Sequence, residues 1–402
     1  MSNTIESSPI MDKLKYAVSF LVAFTLPMFM RLNNIVLGVY IVILLCDSII
    51  YKRKIISITG IKQAIPVVVF FILAFGSALD FEKILVLKYL EKYWSLLLMP
   101  MLFLGQENGY ETYKLKLFKG LVYGCFVTLL ICNFNVIYEI ISHNEPVNYF
   151  FRWRHLGHEF SKIADTHPAY LGLFICMSLY CILNKIVDFN RIVKLVLLAG
   201  FTIGMFQLAS RVALLIYIIV WCIFFIKLLR REFKWVIPVA IVFITVISVF
   251  FTFGSEYLKD RVFSYDSVMK DDRFERWGVS YEIFLEHPFL GVGFKDITNE
   301  RVLKYQEKGY MVAAKREYNA HNQFFEYLSL NGIVGGIVYI LSFGYLLAVA
   351  VKKKQYVFIF LFGSFFVANL TESMMVRIQG IEYFALFGSL FISKFNYKNA
   401  LR

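Results

Sequence analysis

The stretch HNQFFEYLSLNGIVGGIVYILSFGYLLAVA, residues 321–350, decides the fold. Behind its polar foot runs an apolar segment longer than the roughly 20 residues an α-helix needs to cross a bilayer. That makes it a membrane span. His321 and Asn322 open it, and Gly332 and Gly335 follow in the pattern His-Asn-x9-Gly-x2-Gly. At 100° per residue Gly332 falls about 20° from His321 and Gly335 about 40° the other way, so one straight helix would carry all three on one face. A neighbouring helix can approach closely at such glycines. The plainer reading is also open: Asn322 as a helix cap, and the glycines as packing residues.

Working outward, further apolar stretches fall at 14–30, 32–50, 64–80, 84–104, 117–141, 166–184, 191–208, 210–229, 234–254, 355–376 and 378–393, which with 321–350 makes twelve. The composition agrees. With 59% hydrophobic and 18% aromatic residues, a 402-residue chain has too little polar surface for a soluble domain. The sequence therefore predicts an all-α polytopic membrane protein, with 1–402 a single membrane domain. Its one large insertion, 255–320 between the ninth and tenth spans, is too small and charged to bury much of a core alone and is expected on the membrane face. Within it Arg273, Arg276, Trp277, Ser280, Tyr281 and Phe284 recur at three- and four-residue intervals, which predicts a short amphipathic helix ending before Pro288. An interfacial anchor is the plainer use of such a helix.

A net charge of +13 raises the question of nucleic acid, but the basic residues recur in alternate connections between spans, as the positive-inside rule requires. Clusters at Lys52–Lys54, Lys114–Lys119, Lys227–Lys234, Lys352–Lys354 and Lys394–Lys398 share one side, expected to be cytoplasmic with both termini. The connections 143–165 and 255–320 then lie outside. All six cysteines sit within apolar stretches without metal-ligand spacing, and the polar start lacks a basic run and cleavage site, so the first span reads as uncleaved.

On the outer face the cations form a short list. Arg211 follows Ser210 in a very short connection between two apolar helices and must lie near the membrane surface. Anion binding and snorkelling to lipid phosphates are both open to it. Arg273 and Arg276 stand one helical turn apart, so both planar forks can face one anion, although Asp271, Asp272 and Glu275 also offer them ordinary ion pairs. His167, in Thr-His-Pro, is a catalytic candidate or a residue at a helix start. Lys88, Glu91 and Lys92 interrupt an apolar stretch, as a wall of the same outer cavity or because a helix boundary is shifted. There is no Walker loop, GxGxxG, HExxH or GxSxG, and no paired aspartates on the outer face to hold a divalent metal.

These residues resemble the O-antigen ligase family, the membrane glycosyltransferases that include O-antigen polymerases and protein O-oligosaccharyltransferases. Its His-[Asn/Ser/Gln]-x9-Gly-x2-[Gly/Thr/Tyr] signature is met by His321, Asn322, Gly332 and Gly335. Its Ser-Arg pair opening a helix is met by Ser210 and Arg211. Its Arg-Trp to Pro-x2-Gly-x-Gly segment resembles Arg276–Trp277 through Gly293. The resemblance implies transfer of a preassembled glycan from undecaprenyl pyrophosphate to lipid A–core at the periplasmic face of the bacterial inner membrane, with membrane lipids the only other partners and nucleic acid excluded. It implies His321 as general base, Arg211, Arg276 and Arg273 on the donor pyrophosphate, and Asn322, Ser210, His167, Gly332 and Gly335 in support. No cofactor and no metal are needed. A polymerase or protein-acceptor enzyme of the same family remains open, as does a polysaccharide transporter or flippase, although a transporter tends to show repeats and midplane charges.

Overall fold

The computed structural model describes residues 8–52, 58–79, 83–104, 109–231 and 271–399. All regular structure among them is helical. Six helices are long and apolar enough to cross a membrane: Met30–Ile50, Gly60–Ser77, Tyr110–Ser142, Arg191–Leu208, Arg211–Arg230 and Gln323–Lys352. A seventh span is made if Gly157–Ala164 and Pro168–Leu183, bent by 78°, are counted together. The chain is a multi-pass membrane protein. Of the rest of the expected twelve, 14–30, 84–104 and 355–376 rest on helices of 17 residues or fewer and 378–393 on Ile378–Asn399, while the stretch 234–254 and the first part of the large insertion, 255–270, lie outside the described residues.

The helices fall into two compact units, one of Met1–Ser19, Ile35–Lys114 and Asp272–Arg402, the other of Phe20–Asn34 and Leu115–Asp271. In the first, Phe70, Phe343, Phe365 and Phe384 from four different helices meet with ring centroids 5.0 to 6.0 Å apart. Lipid tails are as apolar as these side chains, so close packing rather than escape from water holds them together; each aromatic pair adds about 1 kcal/mol beyond its area. One buried charge in this interior is paired. Lys15, 2% exposed, is 2.9 Å from both Asp12 and the fully buried Asp47.

In the second unit, helix Pro168–Leu183 packs against Arg191–Leu208 and Arg211–Arg231. His167 ends the chain's approach to the first of these. Pro168 occupies the first helical turn, where a missing N–H costs nothing, and the His167 ring accepts from the Ala169 N–H at 3.3 Å.

Three expected spans are drawn differently by the structure. The stretch 84–104 is two helices, Lys83–Leu90 and Trp94–Leu104, joined by a 3₁₀ turn at Glu91–Tyr93. Lys88 and Glu91 are exposed beside this break, while the Lys92 ammonium turns over the rings of Tyr89 and Tyr93, at 4.5 and 5.0 Å, and donates to the Val376 carbonyl. The stretch 355–376 is helical only from Tyr356 to Asn369, which leaves 370–377 as a polar turn. The third difference is at Gly332.

Candidate active site

Helix Gln323–Lys352 is broken at Gly332, whose φ of 62° and ψ of −156° belong to no helix. Angles counted from His321 therefore do not carry through to Gly335, and the expected common face does not exist. What approaches Gly332 is a turn and not a neighbouring helix: a Cβ there would collide with the backbone of Phe289 and would stand 2.7 Å from the Leu290 nitrogen. The broken helix frees carbonyls on one side and an N–H on the other. The turn satisfies both. Val292 N–H donates to Ser329 O at 3.1 Å and Gly293 N–H to Leu330 O at 3.0 Å, while Ile333 N–H donates to Pro288 O at 2.8 Å. Gly291, at φ 70°, is needed for the same reason, since a Cβ there would strike the backbone of Leu330. Gly335 lies just past the break, with Tyr327 O only 2.7 Å from where its Cβ would be. The motifs HisProPheLeuGlyValGly and Gly-x2-Gly are two halves of one backbone splice.

The splice anchors the outer segment to the span. Helix Arg273–Glu286 runs into it, and Val279, Ile283, Ile297, Tyr305, Ala313 and Ala314 bury together with Leu330 of the long helix. The insertion thus acquires a small core by borrowing a residue from the membrane helix. Burial pushes the Tyr305 phenol up to about 12, and its hydroxyl donates to the Tyr318 carbonyl at 3.2 Å.

At the head of the same helix the chain makes a strained turn. His321 has φ 48°, a left-handed conformation that a side chain with a Cβ adopts at a cost of about 1–3 kcal/mol. Several bonds hold it. Its N–H donates to Asn319 Oδ1 at 3.0 Å, and the Trp277 indole N–H points at its carbonyl at 3.4 Å. Just before it, Ala320 N–H donates to Glu326 Oε2 at 3.0 Å, and Glu326 is paired through its other oxygen with Arg301 at 3.0 Å. Both side chains of that pair are 6% exposed. Asn322 accepts from the N–H groups of Phe324 and Phe325 at 2.9 and 3.2 Å, the expected N-cap, and donates to the Leu370 carbonyl at 2.9 Å. Gln323 Oε1 accepts from Met375 N–H at 2.6 Å. Those last two bonds bring the 370–377 turn against His321.

That turn supplies Glu372. One carboxylate oxygen is 3.0 Å from His321 Nδ1 and the other 2.6 Å from Arg273. Glu372 is 8% exposed, against 19% for His321 and 28% for Arg273. A guanidinium at that distance favours the ionised carboxylate, which can only accept. Nδ1 of His321 then carries the proton, and the lone pair of the neutral ring is on Nε2. Tyr318 packs edge-on against the ring at 5.6 Å. On its other contact Tyr318 lies under the Arg276 guanidinium, 4.2 Å from the ring centre. Arg276 reaches Asp272 at only 3.7 Å, and its buried Nε has no hydrogen-bond partner. Glu275, beside it, is raised from the ordinary carboxylate range by desolvation first and by Asp272 second, with Arg276 opposing.

The sequence-predicted residues divide between the two units. His321, Asn322, Gly332, Gly335, Arg273 and Arg276 belong to the first, with Arg273 engaged by a carboxylate distant in sequence. Ser210, Arg211 and His167 belong to the second. There Ala209 turns the chain at φ 46°, and Arg211, at the start of its helix, pairs with Asp271 at 3.0 Å. His167 is the N-cap already described, with its ring 6.0 Å from that of His158. Sequence reasoning missed Glu372, Glu326 and Arg301. Glu372 was hidden at the end of a supposed span; an acidic residue in Asn-Leu-Thr-Glu-Ser was the available sign that the helix had ended.

Fold and site together define a multi-pass, all-helical membrane protein with a histidine, a carboxylate and arginines gathered at one end of a broken span. A family model described as O-antigen ligase matches residues 195–340, and this match supports kinship with that group of glycosyltransferase-like membrane enzymes. The match takes in Ser210, Arg211, Arg273, Arg276, His321, Asn322, Gly332 and Gly335 and stops short of Glu372. No curated protein matches the chain.

Proposed function

We propose that this protein is an O-antigen ligase that moves a preassembled glycan from undecaprenyl pyrophosphate to a hydroxyl of lipid A–core at the periplasmic face of the inner membrane. The observation that carries this reading is the 3.0 Å contact of His321 Nδ1 with Glu372, itself held by Arg273. Nε2 of His321 takes the proton of the acceptor hydroxyl as its oxygen attacks the anomeric carbon. The bond from that carbon to the pyrophosphate oxygen breaks, the electron pair leaves with undecaprenyl pyrophosphate, and the anomeric centre inverts. The proton passes from His321 to water. Cleavage of the donor bond drives the reaction, so neither nucleotide nor metal is required.

Arg276 meets the growing charge on the pyrophosphate; its fork is pre-set on Tyr318 and its Nε still has a donor to offer. Arg273 acts chiefly by keeping Glu372 ionised and oriented. Arg211 joins the pyrophosphate clamp on the family resemblance alone, and Ser210 and His167 act only by shaping helix starts.

The deciding experiment is reconstitution of the purified protein with a defined undecaprenyl-pyrophosphate glycan and a choice of acceptors, in chelator and without nucleotide. Attachment to lipid A–core is expected. Joining of two lipid-linked repeats would instead make it a polymerase, attachment to protein an oligosaccharyltransferase, and donor translocation without transfer would overturn the enzymatic reading. Arg276→Lys, which keeps the charge and loses the fork, is expected to cut turnover by about tenfold or more; full activity would show that the fork is dispensable.

A further inference from the structure

The far end of the broken span, away from His321, holds a cavity of about 460 Å³ between three helices of the same unit. Gln63 comes from helix Ile58–Ser77, Leu346, Lys352 and Lys353 from the long helix and its C-cap, and Phe391 and Lys394 from helix Ile378–Asn399. No carboxylate is among its described lining residues. The helix end contributes roughly half a negative charge, so three ammonium groups leave the rim strongly positive. Below the rim the walls are apolar, with Leu346 and Phe391 each 1% exposed.

Two observations say what kind of molecule fits. Gln63 Oε1 is buried on the cavity without a hydrogen-bond partner, although a buried amide oxygen normally has one. Second, the side chains flanking the lining on the same helices are exposed and apolar: Ile61 and Ile65 beside Gln63, and Val351 on the long helix, each between 43% and 54% exposed. In a membrane span such residues face lipid, so the cavity opens sideways toward the acyl chains. It therefore asks for an anion at the rim, a hydroxyl donor for Gln63, and a hydrocarbon tail.

We propose that this cavity binds an anionic phospholipid of the phosphatidylglycerol type, in the leaflet opposite His321. The phosphate lies among Lys352, Lys353 and Lys394, and a head-group hydroxyl donates to Gln63 Oε1. Basic pockets between membrane helices hold lipid head groups by this same combination of charge and shape. The volume suits a head group and not a whole lipid, which leaves the tails in the bilayer.

Native mass spectrometry of the full chain in non-ionic detergent, titrated with dioleoylphosphatidylglycerol, tests this. Retention about tenfold stronger than that of dioleoylphosphatidylcholine is expected, and the combined substitution K352Q/K353Q/K394Q should abolish the preference. Equal retention of the two lipids, or a preference that survives the triple substitution, overturns the proposal. Millimolar glycerol phosphate should not displace the lipid; displacement would assign the site to a soluble phosphate ester instead. Should the triple variant fail to fold, Gln63→Leu keeps every charge and is expected to remove the advantage of phosphatidylglycerol over phosphatidic acid, which lacks the extra hydroxyl. An unchanged advantage overturns the head-group assignment.

Discussion

The two ends of the span Gln323–Lys352 hold charge in opposite ways. At the His321 end the cations are engaged by carboxylates from elsewhere in the chain, Arg273 by Glu372 at 2.6 Å and Arg301 by Glu326 at 3.0 Å, and these pairs set the conformation of a histidine. At the other end three lysines ring a cavity whose described lining offers no carboxylate. A carboxylate contact fixes the geometry of a cation, whereas lysines around a cavity whose described lining offers no carboxylate can meet an anionic ligand. The first end is accordingly suited to chemistry, which needs a side chain held in one orientation, and the second to binding a lipid, which needs only attraction and room.

The largest effect should come from His321→Ala. Loss of a general base costs about a hundredfold to ten-thousandfold, so glycan attachment in the reconstituted assay should fall by about a thousandfold while protein level and donor are unchanged. Attachment at the normal rate would remove His321 from the reaction and leave the two ends alike. Next is Arg301→Met, which strands Glu326 in a buried position and should destabilise the first unit by about 3–5 kcal/mol in denaturation followed by circular dichroism. Pairing it with Glu326→Leu should recover part of that loss, but not all, because the Ala320 N–H still loses its acceptor. If the single variant is as stable as the wild type, the buried pair is not what holds the histidine turn.

A smaller effect is expected of Gly332→Ala. The positive φ and the backbone of Phe289 both oppose a Cβ, so the splice should open at a cost of about 1–3 kcal/mol, seen as faster protease cleavage near 288–293. Protection as in the wild type would mean that the break is tolerant. Smallest of all, Lys352→Gln with Lys353→Gln should leave glycan transfer unchanged within about twofold while phosphatidylglycerol retention falls. A large loss of transfer would show that the two ends are coupled.

Much of this was legible in the chain before folding. Long apolar runs cannot sit in water or leave their backbone groups unpaired in lipid, so helices and a membrane location follow from composition and length alone. The amphipathic helix of Arg273–Glu286 and the capping role of Asn322 also follow from local pattern, because each depends on residues within a few positions. Local reasoning failed where a partner came from far along the sequence. The glycines at 332 and 335 were read on a straight helix, and only the turn around Phe289 explains why the helix breaks there. Glu372 stands 51 positions after His321, and no periodicity joins them.

The sequence by itself therefore determined the class of protein, its helices, and the residue types able to hold an anion or move a proton. The tertiary structure alone decided which nitrogen of His321 faces a carboxylate, which arginine contacts Glu372, and where a lysine-ringed cavity forms. The physical reason is range. Helix formation and membrane burial are summed over neighbouring residues, whereas a hydrogen bond between side chains depends on a few tenths of an ångström that only the packed fold can set.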